Sequence, residues 1–312
     1  MQLIRNEWIK LWSQKNAWVM LIVLVLAVVG FSSLNKYFEP DVSTKEARVE
    51  ADEEWLSFYK GLMDEPGIDE EEVAYYQEEI QKTEYRIAND LISEDALSAQ
   101  ENMEQSLSIV AAFSGIFMIV VAASIVSSEF GTGTVKMLLT RPVARWKVLL
   151  SKLLTTILYG LTLIVSGVAI AAIVSFILFP GDAAFTLSIV NGEIVKEVYE
   201  PAFLETMLYA LASNLMMVLF AFMLGSVFGS STLAVSLALV LTLMGSTIML
   251  FLSQYEFAKY IWIANDFAYY APGSTPMIED LTFGFSLAVN IVYAVIFLVI
   301  TFGYFTRRDI TA

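Results

Sequence analysis

Cysteine and histidine are both absent from the 312 residues. Without thiols there is no disulfide, no thiolate nucleophile and no Cys-based metal site. Without imidazole the commonest general base and the commonest transition-metal ligand are gone. Any acid–base or metal chemistry is left to carboxylates, Lys and Tyr. A phosphate-binding loop is missing too: Gly131-Thr132-Gly133-Thr134-Val135-Lys136 lacks the required spacing and sits between two apolar runs, not after a strand. The acidic run from Asp69 to Glu72 lacks the alternating ligands and glycine of a calcium loop and reads as a solvated face. The sequence therefore indicates no catalytic residue, no metal site, no directly bound cofactor and no nucleic-acid partner. The chain is not expected to be an enzyme by itself.

What is present is apolar surface in long runs. Hydrophobic residues make up 57% of the chain and mean hydropathy is +0.65, against about 45–50% apolar in soluble domains. A hydrocarbon core of about 30 Å takes roughly 20 apolar helical residues to cross. Runs of that length place TM1 at 17–36, TM2 at 106–127, TM3 at 153–179 and TM6 at 283–305. Residues 206–255 carry no charge at all, which is too long for one crossing. The stretch from Gly225 to Ser231 supplies a break, giving TM4 at 204–227 and TM5 at 232–254. The expected fold class is an all-α polytopic membrane protein with six transmembrane helices. The first run is read as a retained span, since no small-x-small cleavage site follows it.

Charge sets the orientation. Arg5, Lys10, Lys15, Lys136, Arg141, Arg145, Lys147, Lys152, Arg307 and Arg308 fall in the segments that six crossings put on one side. Only Glu7, Glu129 and Asp309 accompany these ten of the 18 basic residues, while the other 30 acids lie opposite. The Lys/Arg-rich side is cytoplasmic, so both termini, including the 306–312 tail, are expected inside a plasma (inner cell) membrane. Residues 1–15 form an amphipathic helix with Ile4, Trp8 and Leu11 on one face, a pattern suited to the interface and membrane lipid.

The segment at 38–105 is expected outside. It holds 21 acids and five basic residues, yet Val49, Trp55, Leu56, Phe58, Tyr59, Val73, Tyr76, Ile80 and Ile87 predict an acidic helical insert, a hairpin or small bundle. Asp64-Glu65-Pro66-Gly67 marks its turn, and Ser93 is a candidate N-cap for a further helix running into TM2. The 180–203 loop carries Asn191-Gly192 between β-prone runs, a β-hairpin signal. The 255–282 loop is rich in aromatics, which suit short helices at headgroup level.

The spans as read hold no buried ionisable residue, which argues against an ion-coupled carrier. Small and polar residues do occur there. Ser114, Ser213, Asn214, Ser246, Thr247 and Asn290 are candidates to line a pathway, although such residues first of all mean close helix packing. The loop at 128–148 departs most from a bland membrane sequence. Glu129, Gly131, Thr132, Gly133, a short apolar stretch predicted helical over 133–140, then Thr140, Arg141, Pro142 and Arg145 make a compact object. Arg-Pro stops a helix because the residue before Pro disfavours the α region.

The run Glu129-Phe130-Gly131-Thr132-Gly133-Thr134, with Leu138-Leu139-Thr140-Arg141-Pro142-Val143-Ala144-Arg145-Trp146, resembles the loop of ABC-exporter permeases of the type 2 class. The layout resembles that class over essentially the whole chain, the motif over 128–152. The resemblance implies a permease that pairs with a second copy, as a homodimer or heterodimer, and with a separate ABC ATPase subunit that holds the ATP and Mg. In that likeness 129–145 is the coupling helix seated in the ATPase. Glu129 pairs with Arg141 or Arg145, Gly131 and Gly133 allow the turn, and Arg141, Pro142 and Arg145 set the exit into TM3. The helix at 1–15 also touches the ATPase, and 255–282 matches the outer re-entrant helices, where Lys259 and Asp266 are a departure. Two rivals stand beside it: a secondary carrier or channel, and a membrane-anchored sensor presenting the acidic module.

Overall fold

The computed structural model describes residues 2–39, 44–63, 68–91, 97–131, 144–179, 185–190, 192–278 and 281–307. Nine α-helices, one β-hairpin and three short 3₁₀ helices are seen among them. In chain order they are α1 (Gln2–Trp12), α2 (Lys15–Phe38), α3 (Lys45–Met63), α4 (Glu70–Ala88), α5 (Ala99–Gly131) and α6 (Arg145–Leu178). There follow β1 (Phe185–Val190), β2 (Glu193–Val198), α7 (Phe203–Phe228) and α8 (Ser231–Leu252). The 3₁₀ helices are Glu256–Tyr260, Trp262–Asn265 and Phe267–Tyr270, and α9 (Phe283–Arg307) comes last. Six helices, α2 and α5 to α9, are long and apolar enough to cross a membrane. Helix α6, at 34 residues, is about 51 Å long at 1.5 Å per residue, well over the hydrocarbon thickness.

The chain divides into two units. One comprises Met1–Val28, Leu107–Ala169 and Ala202–Ala312, the other Val29–Ser106 and Ile170–Pro201.

The larger unit is built on close helix crossings that small residues permit. A Cβ on Gly225 of α7 would lie 2.3 Å from the Ala123 carbonyl oxygen of α5, and one on Gly115 of α5 would lie 2.3 Å from Asn214 Oδ1 of α7. Gly225 thus lies at a helix crossing inside α7, and the expected break within Gly225–Ser231 falls just after it, between Phe228 and Ser231. The chain turns at Gly229, which takes the left-handed conformation at φ 64°, open to glycine at no steric cost. Trp262, from the second 3₁₀ helix, sits 5.8 Å from both Phe220 of α7 and Phe297 of α9. Trp262, Ile263 and Phe267 are buried, while Tyr255, Phe257 and Tyr260 are exposed. The aromatic loop is therefore only half a headgroup-level belt. Helix α8 turns Leu233, Leu237, Val240, Leu243, Leu250 and Phe251 outward, a face that suits lipid rather than water.

The smaller unit contains α3 and α4, packed as a hairpin. Its inner charge pair is Arg86 with Asp52, 3.2 Å apart and both buried. Asp69 caps α4 by accepting from the Glu72 N–H at 2.8 Å. The start of α5 is a reciprocal capping box: the Glu101 N–H donates to Ser98 Oγ at 3.1 Å, and the Ser98 N–H donates to Glu101 Oε2 at 2.8 Å. Ser93, the expected cap, lies outside the described residues. Strands β1 and β2 pair antiparallel with Val190 opposite Glu193, and Gly192 of the turn has φ 82°, as an Asn-Gly turn requires. Buried Asn102 donates to Ser32 Oγ at 3.1 Å and to Ser175 Oγ at 2.8 Å, tying the ends of α2, α5 and α6.

Candidate functional site

The residue type that the spans were read to lack stands at their ends. Helix α6 starts at Arg145, eight residues before the apolar run, and α5 runs past it to Gly131. Both helices therefore carry charge into packed structure. The Lys152 side chain is 0% exposed and that of Glu129 4%. Lys152 Nζ lies 2.6 Å from Glu129 Oε1 and 3.0 Å from Glu7 Oε2, and Lys10 Nζ lies 2.9 Å from the same Glu129 oxygen. Two carboxylates and two ammonium groups alternate along this chain of contacts, so the set is neutral.

Local periodicity puts Glu7 there. Ile4, Glu7, Trp8 and Leu11 follow the i, i+3, i+4, i+7 spacing of one helix face. Ile4, Glu7 and Trp8 are half-buried and Leu11 is buried. The face of α1 expected to meet lipid therefore carries a carboxylate that meets Lys152. Burial works against the Lys10 ammonium, but the hydrogen bond and charge of Glu129, with the charge of Glu7, outweigh it and raise the Lys10 pKa above its ordinary value.

A second seam lies beside the first. Trp12 packs 5.5 Å from Tyr159 of α6, whose hydroxyl donates to the Ala17 carbonyl at 3.1 Å. The Trp18 indole donates to the Trp12 carbonyl at 3.0 Å. The corner between α1 and α2 is thereby held to α6.

Known proteins give this architecture a family. A family described as a protein of unknown function, DUF2705, matches residues 74–311. The chain is 33% identical over 316 residues, 99% of each protein, to the uncharacterized protein YhcI of Bacillus subtilis (strain 168). It is 31% identical over 199 residues to the uncharacterized membrane protein YdbK of the same organism, across 62% of this chain and 76% of that one. The chain belongs to the DUF2705 family. Its six apolar helices and the membrane-protein relative make it membrane-embedded. The DUF2705 match takes in Glu129 and Lys152, whereas Glu7 and Lys10 precede it.

Within this DUF2705 chain the expected site residues separate. Thr132, Gly133, Thr140, Arg141 and Pro142, with the helix expected over 133–140, lie outside the described residues, and Gly131 ends α5. Glu129 meets Lys152 and Lys10. The guanidinium of Arg145 donates to the Thr306 carbonyl at 3.2 Å. Trp146 and Lys147 are exposed beside it, with Lys147 Nζ 5.6 Å from the Trp146 ring centre.

The pathway candidates divide as well. Asn214 donates to the Ala111 carbonyl at 3.1 Å across the α5–α7 crossing, while the Ser114 hydroxyl donates to the same carbonyl at 3.1 Å within α5. Asn290 donates to the Asn265 carbonyl at 2.6 Å, and Ser286 to Asn265 Oδ1 at 2.8 Å, pinning the 3₁₀ segment to α9. Ser213 is half-buried, while Ser246 and Thr247 are exposed on α8. Among the described residues no group of three or more His, Cys, Asp or Glu is placed to hold a metal ion.

Proposed function

We propose that this protein is the membrane-spanning permease subunit of an ATP-driven exporter. It works as a pair of permeases, identical or different, with a separate ATPase subunit that carries the ATP and Mg. The Lys/Arg-rich side, with both termini and α1, faces the cytoplasm, and the α3–α4 hairpin and β-hairpin face outside. The segment at 129–145 engages the ATPase and passes its motion to α5 and α6.

One observation carries the reading beyond the sequence likeness. Glu129 and Lys152, on either side of that segment, are locked together at 2.6 Å in a buried network that α1 completes. A loop that only fixes topology needs exposed Lys and Arg; this one is rooted. Force applied between the roots has no slack to be lost in.

The test is a pull-down of the chain from its native membrane in mild detergent, with the co-purifying proteins identified. An ATPase subunit that is lost in Glu129→Ala and Arg141→Glu supports the permease. No ATPase with the wild-type chain at any detergent strength refutes it and favours the carrier or sensor.

A further inference from the structure

Beyond the exporter reading and independent of it, we infer that one face of the α3–α4 hairpin is a docking surface for a basic peptide, a segment that alternates Lys or Arg with apolar residues.

Helix geometry builds the face. The ion pairs Arg48–Asp90 and Lys60–Glu84 run in opposite order along the two helices, so α3 and α4 are antiparallel. Tyr59 of α3 stacks on Tyr76 of α4 with ring centres 6.2 Å apart, and this pair marks the inside of the hairpin. In an antiparallel pair, the residue just before each inward contact turns by about 100° to the same side. Those two residues are Phe58 and Tyr75, which are 52% and 57% exposed. Exposed Glu54 lies one turn before Phe58, and exposed Glu72 about one turn before Tyr75, so both bring carboxylates to that side. Each exposed ring is backed by others. Phe58 packs 5.5 Å from Trp55 and 5.8 Å from Tyr59, and Tyr75 packs 5.6 Å from Tyr76. The row of rings is therefore braced before any ligand arrives.

Charge decides the occupant. All five basic side chains of the insert are already held by its own acids. Glu54 and Glu72 make no ion pair among the described residues. One exposed aromatic side chain is ordinary; two on one face, each flanked by an acid that the fold leaves unneutralised, suit a ligand of opposite charge. A second copy of this chain would bring the same acids to the same face, and an anionic lipid surface or a nucleic acid is repelled in the same way. A cation is attracted twice, by the carboxylates and by the ring faces. The ring contacts pass from Phe58 through Tyr59 and Tyr76 to Tyr75 across both helices, and a small cation would cover only one ring of that row. A peptide covers it, setting Lys or Arg against the carboxylates and its apolar residues against the rings between them.

The experiment uses the full chain in a neutral maltoside detergent, with a short dye-labelled peptide of alternating Lys and Phe as the probe and fluorescence anisotropy as the readout. Saturable binding is expected, weakening as salt rises from about 0.05 to about 0.5 M. Phe58→Ala with Tyr75→Ala is expected to weaken it about tenfold, and Glu54→Gln with Glu72→Gln about fivefold at the lower salt. Phe58→Tyr with Tyr75→Phe keeps both rings and is expected to keep the affinity. Glu193→Gln with Glu197→Gln removes as much charge from exposed positions of β2 and is expected to leave the affinity within about twofold. No binding to the wild-type chain, no loss in the two face variants, or an equal loss in the β2 variant overturns the inference. So does equal binding of a probe with Gln in place of Lys, which points to an uncharged occupant. A chain that runs at a smaller mass only when Phe58 and Tyr75 are replaced shows a contact between copies instead, and overturns it as well. None of these outcomes bears on whether an ATPase co-purifies, so the exporter reading stands or falls separately.

Discussion

Replacing Lys152 by Met keeps the length of the side chain and removes its charge, which isolates the electrostatic role of the network. The ammonium it removes is fully buried and sits 2.6 Å from Glu129 and 3.0 Å from Glu7. Glu129, with 4% of its side chain exposed, is left sharing only Lys10, a residue whose own side chain is 53% exposed. Breaking a buried ion pair by deleting one partner costs about 3–5 kcal/mol, since the surviving charge stays desolvated. Replacing the whole set by neutral groups is far milder. Lys152→Met with Glu129→Gln and Glu7→Gln is expected to fall within about 2 kcal/mol of wild type, as Lys10 turns to water. Reversible unfolding in detergent, followed by tryptophan fluorescence, measures both. The single variant should be the less stable of the two despite carrying fewer substitutions. A single variant within about 0.5 kcal/mol of wild type refutes the argument, because a surface position behaves that way.

Asn290→Leu removes the donor to the Asn265 carbonyl and is expected to cost about 1–3 kcal/mol, seen as faster proteolysis between 255 and 282. Arg86→Met removes the guanidinium 3.2 Å from buried Asp52 in the α3–α4 hairpin and is expected to cost up to about 3–5 kcal/mol, partly recovered by adding Asp52→Leu; cleavage within 44–91 by a dilute protease reads both. The Arg48 hydrogen bond, with the Lys45 and Arg48 charges, holds the Asp90 carboxyl below its ordinary 3.8. A lowered carboxyl pKa stabilises fully above the unfolded value and is lost as pH falls through the folded one. The hairpin should therefore loosen below about pH 3.8, and Asp90→Asn should flatten that part of the profile in circular dichroism. Gly225→Val pushes side-chain atoms into the α5 backbone, where even a Cβ lies 2.3 Å from the Ala123 oxygen. It is expected to cost at least about 1–3 kcal/mol, measured by the same unfolding assay.

The sequence was a good guide where the signal is local. Runs of apolar residues mark six helices because crossing or burying a helix is a property of about 20 consecutive residues. Asn191-Gly192 marks the hairpin because left-handed backbone is a property of the turn residues themselves. It was a poorer guide wherever the deciding partner is distant. The stretch from Gly225 to Ser231 does hold the break, at Gly229 and Ser230, but nothing in the sequence signals that Gly225 also lets α7 approach Ala123 of α5. Asn290 reads as a packing residue that could also line a pathway, and nothing near it in sequence names Asn265, whose carbonyl it meets. The apolar boundaries placed α6 from residue 153, one position short of the lysine that roots it, because hydropathy scores a charge as an end of a span whether or not a partner neutralises it.

The network around Lys152 did leave one trace in the sequence. Among the ten basic residues grouped on one side of the chain stand only three acids, Glu7, Glu129 and Asp309. A segment whose task is to supply positive charge has no use for a carboxylate. An acid retained there calls for a local cation, and Glu7 occupies the very stripe shared by Ile4, Trp8 and Leu11. The two acids that fall among the described residues are the two that enter the network, each against Lys152. Their pairing offsets the charges of Lys10 and Lys152, so the excess positive charge on which the proposed orientation is argued rests on the other cations, such as Arg5, Lys15 and Lys147. The sparse acids in a basic segment were therefore the better pointer to the site than the abundant lysines, since a minority charge held against the local field needs a partner to hold it.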